Sequence, residues 1–139
     1  MISNFYTLKG YKLRSNNVIT EAMEDYLEMI YRKTTDKKEI KINELSKLLN
    51  VKPSSVSKMI NRLKDLNLVY FEKYKTITLT KEGKNIGKYL LYRHNTLKNF
   101  FKYINKEEYH LSQVEKIEHF IDYTSIKNIE KLLNEKSEA

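Results

Sequence analysis

A short segment near the C-terminal end of the chain contains the residue types of a metal site. Glu115, Glu118 and His119 stand at positions i, i+3 and i+4, so an α-helix through them would place all three side chains on one face. Carboxylate and imidazole groups are common protein ligands of divalent cations. Because Glu-x-x-Glu-His is common on solvated helices, the segment taken alone favours an exposed acidic face over a metal site.

A second acidic pair stands almost ninety residues earlier. Asp25 and Glu28 are spaced i, i+3 in a helix predicted over residues 21–33. At about 100° per residue they lie roughly 60° apart, on the side facing away from the apolar stripe. Taken alone, this pair fits a solvated acidic surface. The stripe consists of Met23, Tyr26, Leu27, Ile30 and Tyr31.

One histidine lies within an apolar row. His94 fills the missing place in a stripe of the longest predicted helix, residues 81–104, so we expect its imidazole to point toward packing partners. A lone histidine in such a row is usually a hydrogen-bonded core residue. The other members of the row are Ile86, Leu90, Leu97, Phe101 and Ile104.

The donor set limits the kind of metal. The chain has no cysteine, which excludes thiolate zinc sites, disulfide scaffolds and cysteine nucleophiles. Four carboxylates and two imidazoles are too many for one tetrahedral zinc and fit an octahedral site or two ions sharing carboxylates. Oxygen-rich ligation favours Mn²⁺, although the general affinity order favours Zn²⁺ or Cu²⁺. The candidate ligands are Asp25, Glu28, His94, Glu115, Glu118 and His119.

The elements between these donors predict a winged helix-turn-helix. Asn43 is a suitable N-cap for a first short helix, a tight turn follows at residues 50–52, and Pro53 opens the next helix, where its missing N–H costs nothing. Residues 41–42 fit a short strand before the first helix. The β-rich runs 68–73 and 76–80 then fit a hairpin.

The charge is concentrated on this predicted module. The net charge is +8, and residues 41–75 carry eight Lys or Arg against three acidic residues, whereas residues 81–139 carry eleven against nine. A basic surface of this kind fits DNA phosphates, and short hydroxyls and long cations on the second helix suit the major groove. The run Pro53-Ser54-Ser55 on its own would indicate only the start of a helix and not DNA binding. The candidate DNA-binding residues are Lys52, Ser54, Ser55, Ser57, Lys58, Asn61 and Arg62, with Lys73, Tyr74 and Lys75 on the hairpin.

The predicted organisation is mainly α with a small β-hairpin. Residues 1–19 are expected to form a flexible basic arm, residues 20–80 the winged helix-turn-helix, and residues 81–139 a helical region for metal binding and dimerisation. In that last region we expect a helix over 106–122 and a final helix capped by Thr124 or Ser125. Its apolar faces make a dimer plausible. No segment has the roughly 18 apolar residues of a membrane span, nor is there a signal-peptide pattern, so a cytoplasmic protein is expected.

Six segments, in order over about residues 21–133, resemble the manganese transport regulators of the diphtheria-toxin-repressor family of metal-dependent transcriptional repressors. They are MEDYLEMIY at 23–31, VKPSSVSKM at 51–59, YFEKY at 70–74, GKNIGK at 83–88, YRH at 92–94 and VEKIEH at 114–119.

This resemblance implies a homodimeric, Mn²⁺-activated repressor of metal-uptake genes that binds double-stranded operator DNA. It further implies that the six candidate ligands hold two Mn²⁺ per subunit, with Glu28 and Glu118 as the shared carboxylates. Fe²⁺, Co²⁺, Zn²⁺ or Cd²⁺ could substitute, and neither a membrane nor a small organic ligand is expected as a partner.

The iron-responsive branch of the family is less similar. It has a methionine where Asp25 stands and a cysteine where Glu115 stands, so these two residues favour manganese. That branch also has a C-terminal SH3-like domain, which this chain, ending at Ala139, is not expected to have. Two features depart from the family pattern: the arm of some 20 residues has no placed counterpart, and Phe120 stands where some relatives have a second histidine.

Three alternatives remain open on the sequence. An iron- or zinc-responsive repressor would use the same site with another ion. A winged-helix regulator could sense an organic ligand or nothing, with its acidic residues merely solvated. A metal-dependent hydrolase is disfavoured, because the sequence has neither a Gly-rich phosphate loop nor an evident spare general base; we therefore do not expect an enzyme.

Overall fold

The computed structural model describes residues 19–37, 39–72, 76–106, 108 and 110–138. Residues 1–18 of the expected arm and the hairpin residues Lys73, Tyr74 and Lys75 thus lie outside the described residues. The described chain is mainly helical with one antiparallel hairpin, as predicted. Its elements are α1 (Glu21–Lys37), α2 (Ile42–Leu49), α3 (Pro53–Asp65), β1 (Val69–Phe71), β2 (Ile77–Leu79), α4 (Lys81–Ile104), α5 (Leu111–Ile117), a 3₁₀ helix (Glu118–Phe120) and α6 (Tyr123–Glu138).

The chain divides into two compact units within helix α4. The first unit ends at Leu90 and the second begins at Leu91. The expected domain boundary at residues 80–81 coincides with the start of the same helix. Among the helices that the structure describes, none combines the length and the apolar character needed to cross a membrane.

Helices α2 and α3 of the first unit form the helix-turn-helix. Helix α2 starts one residue before the expected N-cap, so Asn43 lies in its first turn, and Lys41 takes the capping position. The turn begins at Asn50, which adopts the left-handed conformation (φ 55°, ψ 49°) that asparagine tolerates better than most residues. Pro53 is the first residue of α3, as predicted.

The hairpin completes the winged helix-turn-helix. Strands β1 and β2 are shorter than the predicted runs and pair in antiparallel register, with Tyr70 opposite Thr78. The strand considered at residues 41–42 is absent, since 42 already belongs to α2. Instead, Ile40 forms a single bridge with Ile77, with N···O distances of 3.1 and 2.6 Å.

The core of the first unit collects apolar side chains from every element up to the start of α4. Ile19, the last residue of the expected arm, belongs to this core and is only 3% exposed. The fully buried members, which fix the positions of α1, α2, α3 and the hairpin, are Leu27, Ile30, Leu45, Val56, Ile60, Leu63, Leu68 and Ile77.

Two glycines allow α4 to pack closely against this unit. A Cβ on Gly83 would lie 2.0 Å from the carbonyl oxygen of Leu68, and one on Gly87 would lie 2.6 Å from the Cβ of Tyr31. Both separations are far below van der Waals contact, so only glycine permits the observed approach. The first part of α4, the helix that carries His94, is therefore packed closely against Leu68 and Tyr31 of the first unit.

The second unit has its own small core. It is built on Leu97 of α4, Val114 of α5 and Ile126 of α6, all of which are buried. Partly buried apolar side chains surround these three residues: Tyr92, Phe101, Ile117, Ile121 and Ile129.

The helix expected over residues 106–122 is interrupted at both ends, and this part of the prediction was wrong. Lys106 has a positive φ of 55°, which breaks helical geometry, and α5 begins only at Leu111. The α-helix ends at Ile117 and gives way to the 3₁₀ helix, which stops where Ile121 becomes extended.

The last helix, α6, is capped by an aspartate. The Asp122 carboxylate accepts a hydrogen bond from the Ser125 backbone N–H at 2.8 Å, so Asp122 takes the role expected of Thr124 or Ser125. This bond to the charged form lowers the pKa of Asp122.

Candidate functional site

Helix α3 presents a polar outer surface above a fully apolar inner one. Val56, Ile60 and Leu63 are buried, which turns the opposite side of the helix to solvent. Ser54, Ser55, Lys58, Asn61 and Arg62 are exposed, as is Lys52 before the helix, and Ser57 is partly exposed. The first turn is exposed and has no acidic residue, so no carboxylate there offsets the positive end of the helix dipole. This surface suits a polyanion.

One of the candidate base-reading side chains makes a hydrogen bond within α3. The Asn61 Nδ2 group donates to the Ser57 carbonyl oxygen at 3.0 Å. Asn61 is nevertheless exposed, as are Lys58 and Arg62. Lys73, Tyr74 and Lys75, expected to contact the sugar-phosphate backbone, lie outside the described residues.

The second unit brings together two of the candidate metal ligands. The Nδ1 atom of His94 on α4 lies 2.9 Å from Oε2 of Glu118 in the 3₁₀ helix, and their side chains are only 8% and 3% exposed. A carboxylate can only accept, so in this contact the imidazole donates from Nδ1. His94 thus points away from solvent, as its place in the apolar row predicts.

The three candidate ligands Glu115, Glu118 and His119 differ in their exposure to solvent. Glu118 is buried, His119 is partly exposed and Glu115, one turn earlier in α5, is exposed. A 3₁₀ helix advances about 120° per residue rather than 100°, which rotates Glu118 and His119 relative to the face occupied by Glu115. Over the one or two residues concerned this change is no more than about 40°, so the three side chains still leave the chain in neighbouring directions and differ mainly in burial.

Arg93 is a charged neighbour that the sequence reasoning did not single out. It is only 4% exposed, and its Nη2 atom lies 3.5 Å from Nδ1 of His119. Its position between Tyr92 and His94 in one of the motifs was the available signal. A buried guanidinium beside the site adds a fixed positive charge to the surroundings of His119.

Asp25 and Glu28 both lie on α1 in the first unit. Asp25 is exposed, whereas Glu28 is partly buried and its Oε2 accepts a hydrogen bond from Arg32 at 2.5 Å. Both stand away from the buried residues Leu27 and Ile30, as the periodicity predicts.

The buried pair has the chemistry of a cation site. The 2.9 Å contact between His94 and Glu118 is a hydrogen bond, and a divalent cation held by the same two atoms would displace the proton between them. A nearly inaccessible carboxylate also needs a compensating charge, because burying an unpaired ion is costly. Imidazole and carboxylate in a chain without cysteine therefore fit a divalent cation of intermediate or hard character.

Fold and site together define a class: a winged-helix DNA-binding protein with a carboxylate–imidazole pair in the helical unit that follows in sequence. Residues 18–77 match the domain described as "Iron dependent repressor, N-terminal DNA binding domain". Residues 80–138 match "Iron dependent repressor, metal binding and dimerisation domain". The chain belongs to the iron-dependent repressor family, whose members are metal-responsive, DNA-binding transcriptional repressors rather than enzymes. This confirms the family expected from the sequence.

Named relatives are similar over most of the chain. The HTH-type transcriptional regulator MntR of Bacillus subtilis (strain 168) is 43% identical over 112 residues, which cover 79% of this chain and 78% of that protein. The MntR of Shouchella clausii (strain KSM-K16) is 40% identical over 111 residues, with the same two coverages.

Solved structures share the fold. The manganese regulator SloR superposes with a TM-score of 0.70 at 25% identity, over 81% of this chain and 53% of SloR. The IdeR of T. acidophilum superposes with a TM-score of 0.71 at 24% identity, over 80% of this chain and 53% of IdeR. The chain thus spans about half the length of these two structures.

Proposed function

We propose that this protein is a manganese-responsive repressor of metal-uptake genes that binds a palindromic operator as a homodimer. The observation that carries the proposal is the buried His94–Glu118 pair, in a cysteine-free member of a family with a metal-binding domain. The names of the MntR relatives and of SloR, a manganese regulator, support Mn²⁺ as the ion. Because its target is DNA, the proposed location is the cytoplasm.

The proposed ligands come from both units. Asp25 and Glu28 on α1 would act with donors of the second unit on two Mn²⁺ per subunit, Glu28 and Glu118 being shared. When bound, Mn²⁺ supplies the positive charge that four carboxylates require and joins donors on separate elements. Fe²⁺, Co²⁺, Zn²⁺ and Cd²⁺ are the proposed substitutes, and a structure of ScaR with bound Cd²⁺ is similar to this chain at 25% identity. The second-unit donors are His94, Glu115, Glu118 and His119.

The proposed DNA contacts belong to α3 and the hairpin. Ser54 and Ser55 are short, so the start of α3 can approach base edges closely, while Lys58 and Arg62 reach guanine edges or phosphates. Ser57 and Asn61 complete the exposed surface of α3, with Lys52 just before it. Lys73, Tyr74 and Lys75 would contact the sugar-phosphate backbone.

Mn²⁺ binding would be coupled to DNA binding through the positions of the two winged-helix units of the homodimer. Ligation by Asp25 and Glu28 together with the second-unit donors selects one arrangement of each subunit, in which both α3 helices of the homodimer match the half-sites of an operator. The coupling is reciprocal, so operator DNA must tighten Mn²⁺ binding by the same factor.

A titration with metal-stripped protein tests the proposal. Duplexes selected from a random-sequence pool in the presence of Mn²⁺ serve as the operator probe, and binding is followed by fluorescence anisotropy with Mn²⁺, Fe²⁺, Zn²⁺, Co²⁺ or chelator. We expect Mn²⁺ to raise affinity at least about tenfold, a coupling of typical size. Equal affinity with Mn²⁺ and with chelator would contradict the proposal.

A further inference from the structure

Ser46, a buried serine of α2, is hydrogen-bonded across the turn to Val51, the residue before the N-cap of α3. The Ser46 hydroxyl donates to the carbonyl oxygen of Val51 at 2.5 Å, and the Val51 N–H donates to the Ser46 carbonyl oxygen at 3.1 Å. Ser46 therefore holds both polar backbone groups of Val51. Asn50, in its left-handed conformation, turns the chain between them.

The hydroxyl bond sets the orientation of the peptide that leads into α3. Because a peptide unit is planar, fixing the Val51 carbonyl also fixes the plane that contains the Lys52 nitrogen. Lys52 is the N-cap of α3, and its carbonyl accepts hydrogen bonds from the N–H groups of Ser55 and Val56 at 2.9 and 3.1 Å. A continuous set of bonds thus runs from Ser46 to the first turn of α3.

Ser46 cannot itself read DNA, since it is only 8% exposed. A serine inside a helix favours helix formation less than alanine does, and its hydroxyl commonly bonds to the carbonyl one turn earlier in the same helix. Here the hydroxyl instead bonds to a carbonyl five residues later, beyond the end of α2. Its bonding therefore serves the turn and the entry of α3 rather than the helix that contains it.

We infer that Ser46 is a positioning residue for sequence reading: its hydroxyl fixes the direction in which α3 presents Ser54 and Ser55 to the base edges. The inference rests on the proposed function in taking α3 as the reading helix. Loss of the hydroxyl should weaken binding to the correct sequence more than binding to any DNA, because base contacts depend on orientation whereas phosphate attraction does not.

The test compares Ser46→Ala with the unchanged full-length protein on two probes in Mn²⁺: the selected duplex and a random-sequence duplex of equal length. We expect Ser46→Ala to lower affinity for the selected duplex about three- to tenfold, the worth of one hydrogen bond. Affinity for the random duplex should change less than about twofold. Ser46→Thr, which keeps a hydroxyl, should restore at least half of the lost affinity.

A matched control and a spectroscopic signature separate positioning from general stability. Ser137→Ala removes a hydroxyl that donates to the Leu133 carbonyl at 3.0 Å in α6, and it should change neither affinity. The carbonyl ¹³C resonance of Val51 should move upfield in Ser46→Ala, because the carbonyl loses its hydroxyl donor.

The outcomes distinguish this inference from the proposed function. If the unchanged protein binds no duplex more tightly in Mn²⁺, the proposed function fails. If it does, but Ser46→Ala retains the same preference for the selected duplex, or loses affinity for both probes equally, Ser46 is not a positioning residue. An unmoved Val51 resonance would also overturn the inference, since the bond would then be absent in solution.

Discussion

The imidazole of His94 lies 2.9 Å from the carboxylate of Glu118, and this contact joins α4 to the 3₁₀ helix inside the second unit. Both side chains are nearly inaccessible to solvent. A buried ionisable pair is costly unless it is well satisfied, and the hydrogen bond between the two side chains reduces that cost.

Glu118→Gln tests the role of this carboxylate in metal binding. The amide has almost the same shape but lacks the charge, so we expect Mn²⁺ affinity, measured by calorimetry on stripped protein, to fall at least about tenfold. Glu135→Gln, an exposed acid on α6, is the control and should bind normally. Unchanged Mn²⁺ binding by Glu118→Gln would exclude Glu118 as a ligand.

Replacing Asp25 by methionine and Glu115 by cysteine tests the choice of metal. Thioether and thiolate sulfur are softer ligands than carboxylate oxygen, so the double variant should respond less to Mn²⁺ and more to Fe²⁺, Co²⁺ or Zn²⁺. The readout is the order of metal concentrations that give half-maximal binding of the selected duplex. An unchanged order would mean that these two positions do not determine metal choice.

Lys58→Ala tests the reading surface of α3. Lys58 is exposed on the helix, and loss of a base contact should cost about 1–3 kcal/mol of binding free energy and relax the preference at one base position. If it contacts phosphate instead, the loss will be similar for all sequences and the salt dependence will decrease. Lys131→Ala, exposed on α6, is the control; an effect equal to that of Lys58→Ala would contradict a specific role for α3.

Gly87→Ala tests the close packing of α4 on α1. Alanine normally stabilises a helix interior by roughly 0.5–1 kcal/mol relative to glycine. Here the added Cβ would lie 2.6 Å from that of Tyr31, so we expect a net loss of about 1–3 kcal/mol in urea unfolding. Lys84→Ala, exposed on the same helix, should be nearly neutral. A more stable Gly87→Ala protein would show that the approach is looser than described.

Tyr92→Phe tests a pH-dependent contribution of the second unit. Burial raises the pKa of Tyr92, and its 3.0 Å hydrogen bond to Glu130 raises it further. The hydrogen bond to Glu130 likewise raises the pKa of Lys127. A raised folded-state pKa gives stability that is fully present below the unfolded pKa, about 10 for both groups, and is lost as pH rises through the folded value.

Unfolding free energy should therefore decline above about pH 10, and Tyr92→Phe should flatten that decline. Denaturant titrations from pH 8 upward measure it. Tyr70→Phe, which alters an exposed ring on β1, is the control. An equally steep decline in Tyr92→Phe would show that Tyr92 does not contribute.

Local patterns in the sequence predicted the elements that depend on local rules. The 3.6-residue periodicity identified the stripe of α1 and that of α4 as far as Phe101, although Ile104 is exposed. Pro53 marked the start of α3, and each of these signals reflects geometry within one turn of helix. The start of α2 was missed by two residues, and the capping role of Asp122 was assigned to its neighbours, because several residues near a helix end can satisfy the same N–H groups.

The sequence by itself determined the chemistry available to this protein. Without cysteine, any metal must be held by oxygen and imidazole nitrogen, and the charge surplus over residues 41–75 identified the region suited to DNA. These properties depend on residue type and order alone.

Only the tertiary structure decided which groups meet and how deeply they lie. It paired His94 with Glu118, left Glu115 exposed on α5 before the 3₁₀ helix, and bonded Ser46 to Val51 across the turn before α3. Spacing along a helix gives only the angle at which a side chain leaves the axis. What that side chain touches depends on packing between elements distant in sequence, which buries Leu97, Val114 and Ile126 together and brings the 3₁₀ helix to His94.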